Sequence, residues 1–102
     1  MFEVNGNQYE LKMNTNRVKM VEAAAKTSVM GEWANNNGMF SLTTMEVCFQ
    51  LCTKETGSEI FLPQSKGKEV FHQFLEEKGY PNAVKEIVEA LQKDMPFLFL
   101  AN

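Results

Sequence analysis

Leu42-Thr43-Thr44-Met45-Glu46-Val47-Cys48-Phe49-Gln50-Leu51-Cys52-Thr53-Lys54 is the segment around which the rest of the chain must be arranged. Thr43 and Glu46 stand at capping-box spacing, so a helix is predicted to open at Thr43. Its polar positions, Glu46, Gln50, Thr53 and Lys54, form only a narrow stripe. Met45, Val47, Cys48, Phe49, Leu51 and Cys52 fill the remainder of the circumference. A helix apolar over most of its surface lies at the centre of a domain and is covered from several sides. Thr56-Gly57 ends it, and Ile60-Phe61-Leu62 before Pro63 reads as a short extended or packed segment.

The covering elements are found on both sides. Upstream, Phe2 to Lys12 alternates around Asn5-Gly6, the strongest two-residue hairpin signal, since a type I′ turn needs positive φ at both central positions. Phe2 and Val4 then share one face with Tyr9 and Leu11. A first helix is expected to begin after Asn14 or Thr15 and run towards Lys26, with Val18, Val21, Ala25 and Val29 inward and Arg17, Lys19, Glu22 and Lys26 outward. Thr27-Ser28 caps a short second helix carrying Val29, Met30 and Trp33, and Asn35-Asn36-Asn37-Gly38 breaks it. Downstream, Val70, Phe71, Phe74 and Leu75 define a helix over 66–78, with Gly79 at the αL position after it. Tyr80-Pro81-Asn82 reads as a connection to a last helix over about 82–94, where Val84, Ile87, Val88 and Leu91 repeat. The expectation is a mainly α fold, bordering on α+β. An N-terminal β-hairpin (1–13) packs on a compact bundle of four to five short helices (14–95), an apolar tail (96–102) follows, and the whole forms a single domain.

Composition bounds the function. The chain has 102 residues, 44% hydrophobic and 23% charged, which is an ordinary globular balance. Ten basic against 13 acidic residues give −3, and the cations are scattered, which argues against nucleic-acid binding through phosphate neutralisation. The longest apolar run, Phe97 to Ala101, is far short of the ~20 residues of a membrane span. Glu3, Asn5 and Asn7 interrupt the place of a signal sequence, so the chain reads as cytoplasmic, with its two cysteines as free thiols.

Catalytic and metal patterns are not found. Cys48 and Cys52, four apart on the most apolar helix, read as core residues; with His72 they supply at most three of the four ligands of a structural zinc site. His72 falls on the polar side of its helix beside Glu69, Gln73 and Glu76. The Gly67-Lys68 step fails the P-loop pattern at Leu62 and Glu69. Neither an enzyme, a cofactor nor a metal is therefore expected. What the chain offers is surface. Seven methionines, among them Met20, Met30, Met39, Met45 and Met95, suit either core gap-filling or an adaptable contact surface. Phe97-Leu98-Phe99-Leu100 cannot all point inward from a single strand, so that tail is either covered on both faces or touches another chain. Trp33 with Met30, Met39 and Phe40 forms a second patch. The expected partner-binding residues are Met30, Trp33, Met39, Phe40, Met95, Phe97, Leu98, Phe99 and Leu100.

Four segments carry a family likeness over nearly the whole chain: Phe2-Glu3-Val4-Asn5-Gly6-Asn7-Gln8-Tyr9-Glu10-Leu11-Lys12, Arg17-Val18-Lys19-Met20-Val21-Glu22, Leu42-Thr43-Thr44-Met45-Glu46 and Val88-Glu89-Ala90-Leu91-Gln92-Lys93-Asp94-Met95-Pro96-Phe97-Leu98-Phe99. They resemble the tail assembly chaperones of long, non-contractile-tailed phages and prophages of Gram-positive bacteria. The resemblance implies a non-enzymatic role in the host cytoplasm. There the protein binds the long, helical tape measure protein and keeps it soluble while the tail tube protein polymerises, and it is absent from the mature virion. It implies further partners, the tail tube protein and a frameshift-extended form of the chain itself, this chain being the shorter product. Self-association into a homo-oligomer is the corresponding expectation, since repeated copies on one client give avidity. A small cytoplasmic adaptor that binds a single peptide partner is the alternative reading.

Overall fold

A computed structural model describes residues 1–100. Asn5 and Gly6 take φ of 50° and 80°, the backbone that a two-residue type I′ hairpin requires. They join β1 (Phe2–Val4) to β2 (Asn7–Leu11) in a register that pairs Phe2 with Tyr9 and Val4 with Asn7. Phe2, Val4, Tyr9 and Leu11 are all buried, as the alternation predicts. A hairpin alone is marginal in water; here Phe2 lies edge-on to Phe74 at 5.1 Å and 5.7 Å from Phe49.

The helices follow in the order α1 (Thr15–Ala25), α2 (Val29–Asn35), α3 (Leu42–Cys52), α4 (Gln64–Lys78) and α5 (Tyr80–Asp94), and a 3-10 turn (Pro96–Phe99) comes after them. The fold is α-dominated with an antiparallel sheet at its start. Asn14 and Ser28 cap α1 and α2 by accepting from the backbone N–H groups of Arg17 and Gly31. The central position of α3 is as expected: Met45, Cys48, Phe49, Leu51 and Cys52 are buried, and Phe49 meets Phe71 and Phe74 of α4 at 5.0 and 5.5 Å.

Several expectations are corrected. The N-cap of α3 is Ser41, not Thr43: its hydroxyl accepts from the Thr44 N–H at 3.1 Å. Glu46 is thereby freed from a capping box and instead pairs with His72 on α4, Oε2 to Nε2 2.9 Å. The helix also stops at Cys52, and Thr53–Glu55 forms a third strand, β3, alongside β2, with Leu11 opposite Thr53 and Glu10 opposite Lys54. Thr53 therefore leaves the polar stripe and is fully buried; its hydroxyl donates to the Phe49 carbonyl. The carbonyls of Cys52 and Thr53 accept from the N–H groups of Lys12 and Leu62, partners a continuing helix could not have. Glu10 and Lys54 form a cross-strand ion pair at 2.7 Å, which holds the Glu10 carboxyl below its usual range.

Arg17 and Glu22, expected outside, are half-buried. The Arg17 guanidinium donates to the Leu51 carbonyl at the end of α3 and lies 3.5 Å from the centre of the Phe61 ring, a cation at a helix C-terminus stacked on an aromatic face. Glu22 accepts from the Val29 N–H. The last helix begins at Tyr80 rather than 82, with Pro81 in its first turn, where a missing N–H costs nothing. Gly79 alone joins α4 to α5; its φ of 82° with ψ of 169° is not αL but a region open essentially to glycine. At the far end of α5, Asp94 accepts from the Met13 N–H at 2.8 Å and pairs with Lys12 at 3.0 Å, tying the α5 terminus to the β2–α1 junction.

Candidate functional site

α2 is too short to stand alone, and its position is imposed by tertiary hydrogen bonds. Val29 plugs its first turn into the core. Glu32, on the next turn, accepts from the Ser41 N–H and from the Thr44 hydroxyl, so one carboxylate fastens α2 to the start of α3. Burial pushes the Glu32 carboxyl upward, but the hydrogen bonds from Ser41 and Thr44 outweigh it and hold the group below 4.5. Trp33 follows, partly buried against the core.

The loop after α2 folds back onto the indole. Asn37 and Gly38 have φ of 56° and 79°, the Gly38 N–H donates to the Trp33 carbonyl at 2.8 Å, and a Cβ placed on Gly38 would lie 3.6 Å from Trp33 Nε1. The loop is then clamped from α5. The Tyr80 hydroxyl donates to the Phe40 carbonyl and accepts from the Phe40 N–H. Between loop and helix lies a shallow groove of about 240 Å³, lined by Asn37, Gly38, Met39, Tyr80, Pro81 and Val84.

On another edge of Trp33 sits the tail. Pro96–Phe99 is a single 3-10 turn rather than a strand, and this changes how its apolar side chains divide. Leu98 and Phe99 turn onto the core, with Phe99 edge-on to Trp33 at 6.0 Å. Phe97 and Leu100 point away, 56% and 75% exposed. Over residues 96–100 the tail is thus neither wholly covered nor wholly free; residues 101 and 102 of the expected tail lie outside the described residues.

Of the residues read from the sequence as partner-binding, Met30, Trp33, Leu98 and Phe99 are half-buried and Met39, Phe97 and Leu100 are exposed. Phe40 and Met95 lie in the core, 3% and 5% exposed, and offer no surface. The two patches treated as separate in the sequence, the tail and the Trp33 group, are one surface because Phe99 touches Trp33. No family model, curated protein or solved structure matches the chain. The surface must therefore be read from its own chemistry.

Sequence reasoning missed Glu32, Gly38 and Tyr80, the three residues that hold this surface in place. The Asn-rich run ending in Gly38 signalled a turn, but nothing local paired Glu32 with Ser41 or Tyr80 with Phe40. Leu42 and Ile60 were also missed as exposed apolar residues, at 57% and 77%. Ile60, read as extended or packed, projects from a turn in which the Ser58 hydroxyl accepts from its N–H.

The polar groups considered for catalysis are placed differently. Cys48 and Cys52 are buried; burial pushes the Cys52 thiol up to about 12 and Cys48 well above 9.0. Both therefore stay protonated at neutral pH and are poor nucleophiles. His72 is on the exposed side of α4 with Glu46 as its partner. Among the described residues no three His, Cys, Asp or Glu side chains gather where a metal could be held, and no helix is long and apolar enough to cross a membrane.

Proposed function

We propose that the chain is a phage tail assembly chaperone that binds the tape measure protein and keeps it soluble while the tail tube protein assembles. The observation that carries this reading is the apolar cluster at Trp33, where Phe99 lies edge-on to the indole and Phe97 and Leu100 of the same turn are exposed. Such a cluster suits a helical client: aromatic and aliphatic side chains make contacts that tolerate changing sequence along a long rod. The four segments that resemble the family support the same reading. Weak contacts repeated along one client give avidity while allowing release, so several copies of the chain act on each tape measure protein, in the cytoplasm of the bacterial host and not in the mature virion.

The test is co-expression with a tape measure protein of such a phage, followed by size-exclusion chromatography with light-scattering mass. The expected result is a soluble complex holding several copies per client. An insoluble client, with this chain eluting alone as a monomer, would overturn the proposal. A one-to-one complex with a short peptide would replace it by the adaptor reading.

A further inference from the structure

Resting on that reading of the Trp33 surface, we propose that Pro96–Leu100 is a displaceable strap. It occupies part of the surface in the free chain and yields it to an apolar side chain of a helical client. The argument begins with what holds each side. α2 is anchored by Val29 in the core, by the Glu22 carboxylate on the Val29 N–H, and by the Glu32 carboxylate on Ser41 and Thr44. The strap has nothing comparable. Its Leu98 N–H bonds back to the Met95 carbonyl at 3.1 Å, and among the described residues no hydrogen bond joins it to α2. Pro96 removes one donor from it altogether.

What remains is side-chain contact, chiefly Phe99 edge-on to Trp33 and Leu98 against the core, while Phe97 and Leu100 face outward. Segments with few buried contacts and few backbone bonds open at a small fraction of the global unfolding free energy. The hinge for such opening is well placed. Asp94 is fixed by Met13 and Lys12, and Met95 is buried, so the chain is anchored up to residue 95 and beyond it is held by the Leu98 and Phe99 side chains. Opening would expose the Trp33 face while leaving α2 in position. A Leu or Phe from a helical client, arriving edge-on to the indole, would replace what Phe99 supplies.

The test uses the full chain and a fluorescein-labelled amphipathic Leu/Lys helical peptide as probe. In the free chain the strap masks its own site, so apparent affinity falls by the open fraction. For a strap open about one-tenth to one-fifth of the time, Phe99→Ala should bind the peptide roughly 5–10-fold more tightly than wild type. Acrylamide quenching of Trp33, the single tryptophan, should rise with unchanged far-UV circular dichroism. Phe99→Leu, which keeps an apolar contact but not the aromatic edge, should give an intermediate gain and serves if the alanine variant fails to fold. Equal or weaker peptide binding by a folded variant would overturn the strap and make Phe99 an ordinary contact residue. Because the probe is not the tape measure protein, this result and the co-expression result can fail independently.

Discussion

Gly67→Ala sets two principles against each other at one position. In a helix interior alanine is favoured over glycine by about 1 kcal/mol, so helix propensity alone predicts a stabilised protein. The packing predicts the reverse. A Cβ on Gly67 would lie 2.6 Å from the Phe49 carbonyl oxygen and 2.8 Å from Gln50 Cα, both backbone atoms of α3. Ordinary contact begins near 3.4 Å, so α4 would have to retreat by about 0.8 Å at that point. No side chain can rotate to absorb the clash. The retreat would open the interface in which Phe49 packs on Phe71 and Phe74. Overpacking of this kind costs about 1–3 kcal/mol, occasionally more, and a backbone neighbour puts it at the upper end. Allowing for the propensity gain, the net loss is about 1–2 kcal/mol, or a fall in Tm of roughly 5–15 °C for a domain this size. Urea unfolding followed by circular dichroism measures it directly, with the m-value reporting whether the unfolded reference has changed. A stabilised Gly67→Ala variant would refute the close-approach argument and, with it, the account of why glycine stands in the first turn of α4.

Two further predictions concern the support of the Trp33 surface. The Glu32 carboxyl is held below 4.5 in the folded chain, so its contribution is fully present above the unfolded value and is lost as pH falls through the folded one. An acid titration of stability should therefore be shallower in that window for Glu32→Gln, and identical steepness in the two proteins would show that the Ser41 and Thr44 contacts do not bear on folding. Tyr80→Phe removes the hydroxyl that both donates to and accepts from Phe40; the expected loss is about 1–2 kcal/mol, with faster amide exchange confined to residues 37–41. Unchanged exchange there would mean that Gly38 and Glu32 suffice to hold the loop.

The local grammar of the chain was legible without coordinates. Asn5-Gly6 specified the hairpin because few residue pairs accept two positive φ angles in succession. Asn14 or Thr15 and the pair Thr27-Ser28 marked helix starts, which the structure narrows to Asn14 and Ser28, and the apolar circumference of residues 45–52 placed α3 at the centre, since no other location hides so much of its surface. Cys48 and Cys52 were recognisable as core for the same reason. These features depend on neighbours within a turn or two. What depended on distant partners could not be read. β3 is three residues, Thr53–Glu55, with no alternation to announce it; it exists because β2 presents a free edge at the point where α3 ends. Glu46 looked like a capping residue and became the partner of His72, since with Ser41 as the N-cap the third helical position is Thr44 and Glu46 lies beyond reach of the cap.

The contact surface shows the same division. Apolar residues near Trp33 and in the tail were visible as types, but whether each faced inward was not, because four successive apolar residues give no period. A 3-10 turn turned Leu98 and Phe99 in and left Phe97 and Leu100 out, while the core took Phe40 and Met95. Periodicity and turn chemistry thus determine which elements form. Burial, and the pairing of groups tens of residues apart such as Glu32 with Ser41 or Phe99 with Trp33, is decided only when the whole chain closes on itself.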